Sequence, residues 1–241
     1  MKKWIKVILK LVFSILKRSY LEKIPKHKTT QAYVKKIPAP RINPYVEAIK
    51  ASIAAKIGLP YVYGGDLKDE DFQKYGVDCS GLILRCLQDV GLMDEGYDNN
   101  CAGIYKDLLE PNQSIIGYPP KTHLEPKIIS FVSDKKITFS DNEEKNLKLM
   151  FKLKKTIGSY AFSHNIFLIF YGKIGDRLSH VTFWYNHALI AEAGGGGQAC
   201  TTREEALKLK DAKVRFSPYN YRADEIRDIV QIDFRQDYLN V

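Results

Sequence analysis

Residues 76–91 read GVDCSGLILRCLQDVG, and this stretch decides the fold. Cys79, Ser80 and Gly81 open the helix, and an apolar face runs through Leu82, Ile83, Cys86 and Leu87 to a stop at Gly91. The reading is a helix over 79–90 with a cysteine at its first turn. Free backbone N–H groups there carry partial positive charge, which favours thiolate over thiol and can stabilise an oxyanion. Ser80 and Gly81 are small enough to leave room for a substrate carbonyl. A lone cysteine is more often a buried structural thiol, and Cys86 and Cys101 fit that description better.

Upstream, residues 45–57 have helical spacing and end at Gly58, a plausible C-cap. LPYVYGGD follows, read as a short aromatic strand closed by a glycine turn. Downstream, residues 112–163 are Lys-rich and mixed in pattern, with an amphipathic helix expected near Glu143–Lys155. From Ile166 the pattern turns to strands: IFLIFYG, then HVTFWYN and ALIAEA joined tightly at Asn186–His187, then AKVRFSP and DIVQIDF, with a short helix over 203–210 between. Helices followed by a run of strands give an α+β layout, with the nucleophile helix packed on an antiparallel sheet.

The charge is unevenly placed. Residues 1–50 carry 13 Lys/Arg against only Glu22 and Glu47, whereas the other 191 residues carry 24 basic and 26 acidic groups. The body is therefore near neutral, which argues against a nucleic-acid partner. The first 20 residues, MKKWIKVILKLVFSILKRSY, set Lys3, Lys6, Lys10, Ser14 and Lys17 as one polar stripe on an apolar helix. The uncharged run from Leu11 to Leu16 is too short to span a membrane. A basic amphipathic helix at a membrane surface is the best reading, with an uncleaved anchor or a helix docked on protein as alternatives. Residues 21–44, with Pro25, Pro38, Pro40 and Pro44, read as a linker to a domain over 45–241. No CxxC pair or zinc-ligand spacing is present, so no structural zinc site is expected, and no Walker loop or GxGxxG occurs.

A thiolate mechanism needs a base. His27 falls in the linker, His123 and His164 border the middle segment, and His187 sits at a hairpin turn. His180 opens a core strand and is the best candidate by position. Glu192, an acid between Ala191 and Ala193 in an apolar strand, is the candidate orienting group. A three-residue connection at Tyr185–His187 sets it opposite His180 and on the same face, whereas a two-residue connection pairs it with Val181.

Four motifs then occur in order: GLPYVYGG at 58–65, DCSGL at 78–82, SHV at 179–181 and AEAGGGG at 191–197. Together they resemble the NlpC family of papain-like cell-wall cysteine peptidases, over roughly residues 45–110 and 165–235. The tail, with TTREEAL, DAKVRF and YRAD, is similar to phage-associated members. The resemblance implies Cys79 as nucleophile, His180 as base and Glu192 in the third place, where the family commonly has His, Asn or Gln. It implies that Tyr61, Asp78 and Ser80 line the substrate cleft, with Tyr61 and Asp78 toward the peptide's amino end. It implies a peptidoglycan stem-peptide substrate, often cut between D-glutamate and a diamino acid, no metal or organic cofactor, and a location at the cell envelope or with phage. The 101-residue separation of Cys79 and His180 exceeds the family's usual spacing. Residues 112–163 therefore read as an insertion, either a lid, a specificity or wall-binding piece, or a surface excursion. Two other functions are open: a lipid-directed thiol acyl hydrolase or acyltransferase, and a non-catalytic phage-tail or membrane-associated module.

Overall fold

The structure, a computed structural model, describes residues 43–68, 75–110, 127–173 and 175–234. The expected basic helix over 1–20 and nearly all of the linker lie outside the described residues. Helix α1 (Pro44–Lys56) takes Asn43 as its N-cap and Pro44 at its first position, where a missing N–H costs nothing. The last two residues assigned to the linker thus begin the folded part.

Helix α2 (Cys79–Asp89) ends one residue before the expected boundary, because Gly91 at φ 70° closes it. The Leu92 N–H bonds the Leu87 carbonyl and the Gly91 N–H that of Gln88, the two bonds of a left-handed helix stop. Helix α3 (Cys101–Leu109) follows. The expected strand at LPYVYGGD is not one. Pro60 and Tyr61 make only isolated bridges, to Lys213 and Val77. Pro60 has no N–H to donate, and Gly64 turns the chain at φ 74°.

Next come β1 (Lys127–Ser130), α4 (Glu143–Ala161), β2 (Asn165–Tyr171), β3 (His180–Trp184), β4 (Leu189–Gly194), α5 (Arg203–Lys208), β5 (Lys213–Pro218), a single 3-10 turn (Ala223–Glu225) and β6 (Ile226–Asp233). The strands form one sheet in the order β1-β6-β2-β3-β4-β5, and every pairing is antiparallel.

Strand β2 is buried at every residue because both sheet faces are covered. Ile166, Leu168 and Phe170 join the core beneath α1, α2 and α3. Phe167, Ile169 and Tyr171 join a second core with Met150 and Leu153 of α4. The middle segment that the sequence left hard to place therefore supplies an edge strand, β1, and the helix that closes the second core. Helix α4 begins where the sequence placed it, and its span to Ala161 is broken by a kink at Gly158, whose φ 64° and ψ 164° are not helical.

The β3–β4 hairpin sets the site's register. Its ladder pairs Phe183 with Ala191 and Trp184 with Ile190. Extended, it sets Thr182 opposite Glu192 and His180 opposite Gly194. Both registers considered from sequence are thus displaced: the three-residue connection is Asn186–Ala188, since Tyr185 still bonds to Leu189. The side-chain period of two keeps His180 and Glu192 on one face all the same, one step apart along the strands.

Candidate active site

Asp78 builds the first wall. One of its oxygens accepts from the Gly81 N–H (2.7 Å) and from Ser80 Oγ (2.8 Å), capping α2. The other accepts from the Gly64 N–H (3.0 Å), tying the aromatic-glycine loop to the helix start. The fit there is close: a Cβ on Gly81 would lie 2.2 Å from the Gly65 carbonyl oxygen. Only glycine allows the loop so near the helix.

Cys79, at the first helical position, is 8% exposed. Burial pushes its thiol up to about 12, and the Asp78 carboxylate adds to this. The N–H groups of Val181, Ser80 and Cys79 itself pull the other way without overcoming burial. The helix-start effect read from sequence is present, but desolvation outweighs it, so the resting group is a thiol.

The Val181 N–H reaches the Cys79 sulfur for a topological reason. It points along the edge of β3 that β4 pairs at Phe183, two residues on. Where the ladder would continue, it meets the Cys79 sulfur instead. The splayed end of the hairpin thus admits the cysteine from the helix layer.

His180 is 6% exposed, and its Nε2 lies 3.1 Å from Glu192 Oε2. Its ring packs beside Tyr171 at 5.5 Å between centroids. A Cβ at Gly194 would stand 3.2 Å from Glu192 Oε2, so the residue opposite His180 must be small.

Glu192, only 1% exposed, spends its second oxygen on two partners from β5: Ser217 Oγ at 2.5 Å and Arg215 Nε at 3.0 Å. Burial raises its carboxyl, but the hydrogen bonds from His180 and Ser217 and the charges of His180 and Arg215 outweigh it and hold the pKa at about 2. Glu192 is therefore a fixed anion. Glu192 is buried in the sheet and does not face water.

These groups share one cleft of about 600 Å³. Tyr61, Asp78, Cys79, Ser80, His180 and Glu192, the six residues expected at the site, all line it. Burial, with the nearby Cys79 and Asp78, raises the Tyr61 hydroxyl, which therefore stays a donor. A smaller pocket of about 290 Å³ opens from the Asp78 flank and adds Asp66 and Asp98 to it.

Sequence reasoning did not find Cys101, Arg177 or Arg222, which line the same cleft. Cys101 repeats the local design of Cys79, at the start of a helix capped by Asn100. A polar cap followed by cysteine, seen twice, was the available signal. Its sulfur faces the backbone N–H of His180, and burial keeps it a thiol. Of the other histidines, His164 is buried in the fold and His187 packs its ring on Phe162 at 4.9 Å, while His27 and His123 lie outside the described residues. Among the described residues no cluster of His, Cys, Asp and Glu is arranged to hold a metal.

No protein-family profile matches the chain, and no curated protein matches it. Among solved structures it is similar to the peptidoglycan hydrolase RipB from Mycobacterium tuberculosis, at 20% identity over 81% of this chain and 68% of that one, with a TM-score of 0.39. It is also similar to a mutated form of RipA, a resuscitation-promoting-factor interacting protein, at 19% identity over 79% of this chain and 62% of that one, with a TM-score of 0.39.

Proposed function

We propose that the chain is a cysteine peptidase or amidase that hydrolyses peptidoglycan stem peptides, with Cys79 as nucleophile, His180 as base and acid, and Glu192 as the group that orients His180. The observation that carries this reading is the buried Nε2–Oε2 bond of 3.1 Å between His180 and Glu192, in the cleft that holds a helix-start cysteine. With Nε2 engaged, Nδ1 is the nitrogen left to exchange a proton with the thiol. The anion of Glu192 stabilises the imidazolium that forms.

In the reaction, His180 takes the Cys79 proton as the sulfur attacks the peptide carbonyl. The N–H groups of Cys79 and Ser80, at the first turn of α2, are placed to receive the oxyanion. Collapse breaks the C–N bond, and His180 returns the proton to the leaving amine. Water, deprotonated by His180, then hydrolyses the thioester and restores the thiol. The peptide substrate is carried by the four-motif resemblance. Asp78, Asn100, Arg177, Gln198 and Arg222 give the cleft polar groups that suit a peptide.

The test is digestion of purified muropeptides, with products read by mass. Wild type should release fragments that Cys79→Ala does not, with the variant's circular dichroism unchanged. Equal cleavage by Cys79→Ala would end the proposal.

A further inference from the structure

Three arginines surround the site, and two are accounted for. Arg215 is bound to Glu192. Arg222, in a left-handed conformation at φ 52°, is bound to Glu225 through Nε at 3.1 Å and through a second nitrogen, and its guanidinium lies over Tyr171. Arg177 is different. It lines the cleft, is exposed, and has no hydrogen-bond or ion-pair partner among the described residues.

The loop that carries Arg177 is held in place. The Asp176 N–H bonds the Lys173 carbonyl at 3.0 Å and the Ser179 N–H bonds Tyr171 at 2.9 Å. Gly172 packs against the Arg177 carbonyl, where a Cβ would stand at 3.1 Å, and the Gly172 N–H bonds Glu225. Glu225 is the residue that holds Arg222. Both guanidiniums therefore come from neighbouring loops at the His180 end of the cleft. The acidic groups, Asp66, Asp78 and Asp98, gather on the Cys79 flank.

In the proposed reaction His180 delivers its proton to the leaving nitrogen, so the residue that owns this nitrogen lies on the His180 side of the cleft, where Arg177 stands three residues before His180 in the chain. We infer that Arg177, backed by Arg222, is a specificity residue that binds a free carboxylate on the amino acid whose nitrogen is released. The chemical class is a peptide with an acidic residue, or an amino acid with an unblocked carboxyl, immediately after the scissile bond. A guanidinium with free donors on a pinned loop matches a carboxylate in geometry and charge. This inference rests on the proposed function for the direction of the substrate.

The experiment uses two probes, L-Ala-γ-D-Glu-meso-diaminopimelate and the same peptide with its diaminopimelate carboxyls amidated. For the wild-type full chain, amidation should lower kcat/KM by about tenfold, chiefly through KM, as expected for one charge-assisted pair. In Arg177→Gln the two peptides should be cleaved within about twofold of each other, and Arg177→Lys should restore part of the preference. Equilibrium binding of the same peptides to Cys79→Ala should show the same difference, independent of turnover. Equal use of both probes by wild type, or a full preference kept in Arg177→Gln, overturns the carboxylate site and leaves the peptidase reading standing. Carboxylate-dependent binding without any Cys79-dependent cleavage keeps the carboxylate site and overturns the peptidase reading.

Discussion

At the scale of single residues, the site is organised by what burial does to two ionisable groups. Cys79 is driven toward the neutral thiol and Glu192 toward the anion. A thiol at about 12 means that alkylation by iodoacetamide should keep accelerating past pH 9 in the free protein. A plateau already reached near pH 6 would show a preformed ion pair instead. For Glu192 the folded value is depressed from 4.5 to about 2. Its stabilising contribution is therefore complete above pH 4.5 and is lost as pH falls toward 2. Glu192→Gln should flatten that acid limb in a series of thermal melts. Asp228 is shifted in the opposite direction by burial, so the Glu192 effect is read as the difference between wild type and variant. Removing Ser217 Oγ by Ser217→Ala should lower kcat with KM nearly unchanged, because it loosens Glu192 and leaves the substrate walls intact.

The elements show how a local rule can reverse sign. Glycine inside a helix usually costs about 1 kcal/mol relative to alanine. Gly81→Ala should instead destabilise by about 1–3 kcal/mol in a urea titration, because the new methyl meets the Gly65 carbonyl. Asp78→Ala should cost about 1–2 kcal/mol for the lost cap, and more activity than that implies, since the Gly64 loop is released as well. Most elements were legible in the sequence. Helix α2 carried its apolar face and its stop at Gly91, and β2 was an unbroken apolar run. Glu192 was conspicuous as an acid among alanines. What sequence could not supply was register. The hairpin turn is displaced by one residue from the place its Asn186–His187 pair suggested, because Tyr185 still joins the ladder. Arg215 and Ser217 escaped notice for a related reason. They stand on the next strand at positions i and i+2, and the loop and helix before β5 hide which residues face Glu192. The Tyr61 segment read as a strand because aromatics favour strands, whereas its backbone is spent on isolated bridges.

For the whole molecule, the middle segment is bound into the core. Asp228 of β6, 1% exposed, accepts from Tyr105 Oη at 2.9 Å, Ser130 Oγ at 2.5 Å and the Val132 N–H at 3.0 Å, joining α3, β1 and the turn after it. Met150 of α4 is fully buried against the sheet. Replacing residues 127–161 by a short linker should therefore abolish cooperative unfolding rather than trim the surface, which calorimetry would show. The opened end of the β3–β4 hairpin has one more consequence. The Val181 amide has exchanged a carbonyl partner for a sulfur, so it sits one hydrogen bond from the reacting atom while belonging to the framework. In a nitrogen-15 correlation spectrum its resonance becomes a native reporter: acylation or oxidation of Cys79 should move that one peak before any other strand amide, without a probe being attached.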